Sequence, residues 1–170
     1  MGECEFVYTF TCETNNGIIV ATFIGKYDAR LDVKGRVFIP SAYRKLLSGD
    51  EKDRLVMRRD VENECIVLFP ESVWTRKVED FKAKLDEWDP QDQLLLMQFV
   101  SDAEWLDVDA QGRILLSKKH LMSIGVDTLD VQFVGMVDRF AVWNPEKYEK
   151  SRLASSDFAQ LIKSKMEQRV

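Results

Sequence analysis

An internal repeat constrains this chain more than any other feature of its sequence. Residues 31–40 read LDVKGRVFIP and residues 108–117 read VDAQGRILLS; both fit apolar-Asp-x-x-Gly-Arg-apolar-x-apolar, with Asp32 and Asp109 77 residues apart. A second landmark follows in the same order, CIVLFPE at 65–71 against FAVWNPE at 140–146, with Pro70 and Pro145 75 residues apart. Two landmarks in order, at offsets differing by two residues, mark a duplicated unit with a slightly shortened second loop. One copy is too small to close a good core, so each should need its sister. No Gly/Ser-rich linker separates the copies, which predicts one intertwined body.

Within the first copy, a partly alternating stretch from Phe23 to Leu31 suits a strand, and Asp-x-x-Gly then makes a turn. The Asp32 carboxylate can accept from a nearby backbone N–H, and Gly35 permits a positive φ. Arg36 opens a second strand through Ile39, closed by Pro40, and Ser41 to Leu47 fits a short helix stopped at Ser48-Gly49. Leu55–Met57 and Cys65–Phe69 read as two more strands joined by a polar turn. The second copy repeats the pattern, with a helix from Lys118 to Ile124 stopped by Gly125 and strands near Val131–Val134 and Phe140–Trp143. Between the copies the period becomes helical: Trp74, Val78, Phe81, Leu85 and Trp88 form a stripe, Asp89-Pro90 breaks it, and Gln91 to Val100 resumes. A C-terminal helix is predicted with Asp157 as its N-cap and Phe158, Leu161, Ile162 and Met166 on one face.

Composition excludes several classes. With 45% hydrophobic and 31% charged residues the chain is globular rather than disordered. Its apolar runs, such as Leu94–Met97, fall far short of the roughly 20 residues of a membrane span. No basic-then-apolar leader opens the chain, and Cys4, Cys12 and Cys65 form no CxxC pair, which suggests reduced thiols and a cytoplasmic location. One histidine, His120, leaves no second imidazole for a His-rich metal site, so no metal or cofactor is expected. The net charge of −5 conceals segregation: Ile24 to Arg59 carries ten basic and five acidic residues, whereas Asp60 to Asp109 carries four and fourteen. A basic surface for nucleic acid can therefore sit inside an acidic protein.

Two related carboxylates, Asp32 and Asp109, invite comparison with an aspartic-protease dyad. That dyad needs Asp-Thr/Ser-Gly, whereas here an arginine follows the glycine directly, and a guanidinium favours the charged carboxylate over a shared proton. No catalytic residue is assigned. Each aspartate instead caps its turn and, with Gly35 and Gly112, forms a structural turn. For the arginines two readings stand side by side. Arg36 and Arg113, with Lys34 and with Arg30 on the incoming strand, suit phosphate contacts or bidentate guanine readout; alternatively each arginine serves its own aspartate. Arg58-Arg59 is read as phosphate contacts or as a solvated strand end.

At these residues, FIGKYDARLDVKGRVFIPSAYRK, LVMRRD, LFPESVW and QFVSDAEWLDVDAQGRILLSKKHL, the chain resembles the MraZ family of bacterial transcriptional regulators. The signature Asp-x-x-x-Arg stands twice, as Asp32…Arg36 and Asp109…Arg113, and the resemblance covers roughly residues 22–150. It implies a mainly β, α+β fold: two tandem AbrB/SpoVT-like swapped-hairpin units forming one pseudo-twofold, barrel-like body with linking and C-terminal helices. The division is then an N-terminal extension at 1–21, a first unit at 22–71, linking helices at 72–102, a second unit at 103–146 and a helical tail at 147–170. It also implies a ring-shaped homo-oligomer, associated with the nucleoid, that binds direct repeats of double-stranded DNA upstream of the division and cell-wall gene cluster. DNA contacts carry over to Lys34 and Arg36 in the first loop and to Gln111 and Arg113 in the second. Gln111 stands where the first loop has Lys34, so the second loop should be the weaker anion site, and Ser117 stands where the first copy has Pro40. The alternative is a non-enzymatic oligomeric scaffold in which the Asp–Arg pairs are structural.

Overall fold

The run CIVLF at 65–69 has no polar residue to turn towards water, so it must lie in a strand covered on both faces. A computed structural model, describing residues 22–47 and 54–168, places it at the centre of a six-stranded sheet. The strands are β1 (Lys26–Arg30), β2 (Arg36–Phe38), β3 (Arg54–Arg59), β4 (Cys65–Pro70), β5 (Ala103–Asp107), β6 (Arg113–Leu115), β7 (Asp130–Gly135) and β8 (Phe140–Trp143). The helices are α1 (Ser41–Leu47), α2 (Glu71–Lys82), α3 (Pro90–Ser101), α4 (Lys118–Ser123), α5 (Pro145–Ser151) and α6 (Ser155–Glu167). The large sheet runs β1-β7-β8-β4-β3-β5, antiparallel throughout, and β2 pairs with β6 in a separate ribbon.

The two copies exchange strands. The opening strand of the first copy, β1, pairs with β7 of the second, and the opening strand of the second copy, β5, pairs with β3 of the first. At the centre β4 and β8, counterparts in the repeat, pair with each other. In the ribbon Val37 faces Ile114, and each is the other's repeat counterpart, so the pseudo-twofold passes through that pair. The large sheet stays open, with β1 and β5 as its edges, because the strands leaving their turns, β2 and β6, pair with one another instead of continuing it.

Period-two alternation divides the core into two layers. Leu55, Met57, Ile66, Leu68, Phe133 and Val142 face one side, where Val37, Ile39, Ile114, Leu116 and Tyr43 cover them from the ribbon and α1. Val56, Cys65, Val67, Phe69, Ala141 and Trp143 face the other, covered by Val73 and Trp74 of α2. Phe99 of α3 stacks on Trp74 with ring centroids 5.4 Å apart. The Cys65 thiol is buried, which pushes its pKa up to about 12 and removes it from thiolate chemistry. Cys4 and Cys12, and the extension read at 1–21, lie outside the described residues, as does the Ser48-Gly49 stop.

Two helix boundaries differ from the pattern reading. The aromatic stripe runs off its helix: α2 ends at Lys82, the chain continues in tight turns, and Trp88 is exposed. The Asp86 side chain accepts the Trp88 backbone N–H, a local bond that competes with helix continuation. At the C-terminus, α6 begins at Ser155, so Asp157 sits inside its first turn rather than capping it. There a carboxylate still complements the positive end of the helix. Ser117, in place of proline, makes its own cap by accepting the His120 backbone N–H at 3.4 Å.

Candidate nucleic-acid interface

Each signature turn is stapled by its own aspartate. Asp32 Oδ1 accepts the backbone N–H groups of Lys34 at 2.8 Å and Arg36 at 2.9 Å, while Oδ2 takes Arg36 Nε and Nη2, both at 2.6 Å. The backbone closes the same turn, with Asp32 N–H donating to the Arg36 carbonyl at 2.8 Å and Gly35 N–H to the Asp32 carbonyl at 2.9 Å. Asp109 repeats the arrangement: Gln111 and Arg113 N–H at 2.9 and 3.0 Å, Arg113 Nε at 2.8 Å and Nη2 at 2.7 Å. Both carboxyls are held below the usual carboxylate range, chiefly because each accepts the arginine's backbone N–H. Each aspartate thus accepts backbone N–H groups of its own turn, and the arginines of both turns are engaged by their aspartates.

Each turn is also tied to the far end of the other copy's ribbon strand. The Leu116 N–H donates to the Gly35 carbonyl at 2.9 Å, and the Ile39 N–H donates to the Gly112 carbonyl at 3.0 Å. With the registers Arg36↔Leu115 and Phe38↔Arg113, the ribbon alternates cleanly. Val37 and Ile114 point into the core, while Phe38 and Leu115 are exposed beside the two arginines. Arg113 lies over the Phe38 ring at 5.7 Å. The result is a short, rigid, solvent-facing strip in which two neutralised Asp–Arg pairs sit beside exposed Val33, Lys34 and Gln111.

The ribbon thus brings together four of the sequence-predicted contact residues: Lys34, Arg36, Gln111 and Arg113. Arg30 stands apart on β1, exposed and paired with Asp130 of β7 at 3.3 Å. Of the Arg58-Arg59 pair, Arg58 is half-buried, with its guanidinium 4.3 Å from the centre of the Phe99 ring, so it is neither a solvated strand end nor a surface phosphate contact. Burial also lowers its pKa. His120 bridges Ser117 Oγ at 2.8 Å and Glu104 at 3.2 Å, a tie between α4 and β5.

One residue at this surface escaped the sequence reading. Arg44, exposed on α1 of the first copy, reaches the second copy's turn, with Nη1 3.4 Å from the Gln111 carbonyl and its side chain lying against Gly112. The repeat aligns Arg44 with Leu121, so nothing in the doubled pattern marks it.

The doubled stapled turn with exchanged strands coincides with a family match over both copies. The family model for the MraZ protein, described as antitoxin-like, matches residues 22–96 and 99–166. The chain belongs to the MraZ family. Relatives named transcriptional regulator MraZ agree across most of both chains. That of Bacteroides fragilis is 37% identical over 146 residues, 86% of this chain and 92% of that protein. Those of Bacteroides thetaiotaomicron and Phocaeicola vulgatus are 36% and 35% identical over 144 residues, each spanning 85% of this chain. The name given to these MraZ proteins is that of regulators, not enzymes. Among the described residues, no helix is long and apolar enough to cross a membrane.

Proposed function

We propose that the protein is a sequence-specific, non-enzymatic DNA-binding transcriptional regulator that reads its target with the β2–β6 ribbon and the two turns beside it. The observation that carries this reading is the ribbon itself: two signature turns held at the two ends of one exposed strip, in a chain whose relatives are named transcriptional regulators. A two-stranded ribbon fits the major groove of B-DNA. The Asp–Arg staples supply rigidity, so little order has to be gained on binding. Lys34 provides an exposed cation for phosphate, Gln111 an amide able to read a base edge, and Phe38 and Leu115 apolar contacts for thymine methyl groups. Arg36 and Arg113 keep part of their surface in water while paired, at 37% and 21% of their side chains. On this reading those exposed parts face the base edges of the groove.

The strand exchange supports the swapped-hairpin reading of the two units, with the helices α2 and α3 linking them and α5 and α6 as the tail. A ring-shaped homo-oligomer is part of the proposal. Leu94, Leu95 and Met97 on α3, and Phe158, Leu161 and Ile162 on α6, are exposed apolar faces that a lone subunit leaves in water. Neighbouring subunits would then present the same ribbon to successive direct repeats, making each further contact effectively intramolecular. The target proposed is direct repeats upstream of the division and cell-wall gene cluster, with a cytoplasmic, nucleoid-associated location. The pI of about 5.0 favours the scaffold alternative, in which the same apolar faces bind protein partners.

A fluorescence-anisotropy titration decides between them, using duplexes from the chain's own upstream region with several repeats, one repeat, or scrambled repeats. The regulator reading expects tighter binding to several repeats than to one, and affinity that falls steeply with salt. Equal affinity for scrambled and native repeats refutes it.

A further inference from the structure

We infer that the second signature turn is a composite phosphodiester site whose cation is Arg44, contributed by the first copy. The inference rests on the DNA-binding reading of the ribbon and names a residue that the doubled motif does not contain.

Charge arithmetic at the two turns motivates it. In the first turn Asp32 and Arg36 neutralise one another, leaving Lys34 as the net positive charge facing solvent. In the second, Asp109 and Arg113 neutralise one another in the same way, and Gln111 replaces the lysine, leaving no net charge within the turn. A bare ribbon would therefore be electrostatically lopsided. The fold restores the balance across the copies, because Arg44 lays its side chain along Gly112 and anchors it with a bond from Nη1 to the Gln111 carbonyl at 3.4 Å.

The position of Arg44 follows from its helix. α1 follows Pro40 directly, with the Tyr43 and Arg44 N–H groups donating to the Pro40 carbonyl at 2.9 and 3.0 Å. Tyr43 is buried in the core, and its hydroxyl donates to the Gly25 carbonyl at 2.8 Å, which ties α1 to the segment before β1. The Ile39 N–H to Gly112 carbonyl bond fixes the second turn against the same stretch of chain. Arg44 thus springs from a rigid base beside that turn and remains exposed. One weak bond to a carbonyl leaves most of the five guanidinium donors for a phosphate, and holding the side chain in place in advance reduces the entropy lost on binding. Glycine at 112 leaves the space that the arginine stem crosses, since a Cβ there would fall on Arg44 Cδ. The amide of Gln111 then sits beside the phosphate contact, free for base-edge readout.

The consequence is that the two turns are matched in charge, by Lys34 in one and Arg44 in the other. Loss of either cation should therefore weaken binding comparably and uniformly across sequences. The test is anisotropy titration of wild type, Lys34→Ala, Arg44→Ala and Arg44→Lys against a repeat-bearing duplex at several salt concentrations. Lys163→Ala on α6 serves as a control for net charge, and folding is checked by circular dichroism. The expected result is that Arg44→Ala binds roughly tenfold more weakly and lowers the log–log salt slope by about 0.9 per subunit engaged, matching Lys34→Ala, whereas Arg44→Lys recovers most of the affinity and the slope. A purely structural role for Arg44 would leave the salt slope unmoved. If wild type binds and Lys34→Ala weakens it while folded Arg44→Ala keeps wild-type affinity and slope, the composite site is overturned and the regulator reading stands. If wild type itself shows no salt-dependent binding, the regulator reading falls and takes the composite site with it.

Discussion

Gly35 and Gly112 occupy the same place in the repeat and the same backbone conformation, with φ of +83° and +79°, yet the structure predicts unequal costs for replacing them. Alanine at either position incurs the left-handed penalty of about 1 kcal/mol. At Gly35 the new Cβ would lie 2.5 Å from the Leu116 carbonyl oxygen, a backbone atom of the facing strand. Relief requires the first turn to move away from the end of β6, straining the Leu116 N–H to Gly35 carbonyl bond at 2.9 Å. Overpacking against fixed backbone together with one weakened hydrogen bond adds about 2 kcal/mol. At Gly112 the obstacle is the Arg44 side chain, which is exposed and can swing away, so little is added to the backbone penalty. Gly35→Ala should thus cost about 3 kcal/mol and Gly112→Ala about 1 kcal/mol, or melting shifts of about 9 °C and about 3 °C for a chain of this size. Urea unfolding followed by circular dichroism at one fixed protein concentration measures both. Equal losses, or a larger loss for Gly112→Ala, would refute the argument that the identity of the colliding atom sets the difference.

Two further outcomes follow from the staples and the helices. Asp32 and Asp109 have folded pKa values below their ordinary value, so their contribution to stability is complete above about pH 4 and is lost as pH falls through the lowered values. The Asp32→Asn/Asp109→Asn variant should therefore be less stable at neutral pH and lose less of its remaining stability on acidification than wild type; parallel acid-unfolding curves would refute this. The exposed apolar faces of α3 and α6 predict an oligomer by light scattering at micromolar concentration, reduced in size by Leu161→Glu/Ile162→Glu, whereas a wild-type monomer would refute that assignment.

The turns were legible in the sequence because their chemistry is local. An aspartate reaching the N–H groups two and four residues on, a glycine with positive φ and an arginine folding back on the same carboxylate all lie within one five-residue window. Strand and helix types were legible for a similar reason: the CIVLF run and the α2 stripe carry their periods in the chain itself. Helix ends were less so, because Asp86 and Asp157 offer short polar side chains with more than one local use.

Duplication in the sequence announced that two copies would cooperate, but not which strand would lie beside which. The exchange of β1 and β5 between copies, and the pairing of β2 with β6, came from the need to cover both faces of β4 and β8 at once, a condition met only by residues far apart in the chain. The same holds for charge. Lys34 and the Asp–Arg pairs can be read from the motif, whereas Arg44 reaches the second turn only because Tyr43 is buried and α1 is thereby held across the copy boundary. Hydrogen bonds within a turn extend over a few residues and leave their mark in the local sequence. Packing brings together residues 67 or 68 positions apart, such as Arg44 with Gln111 and Gly112, and leaves no such mark.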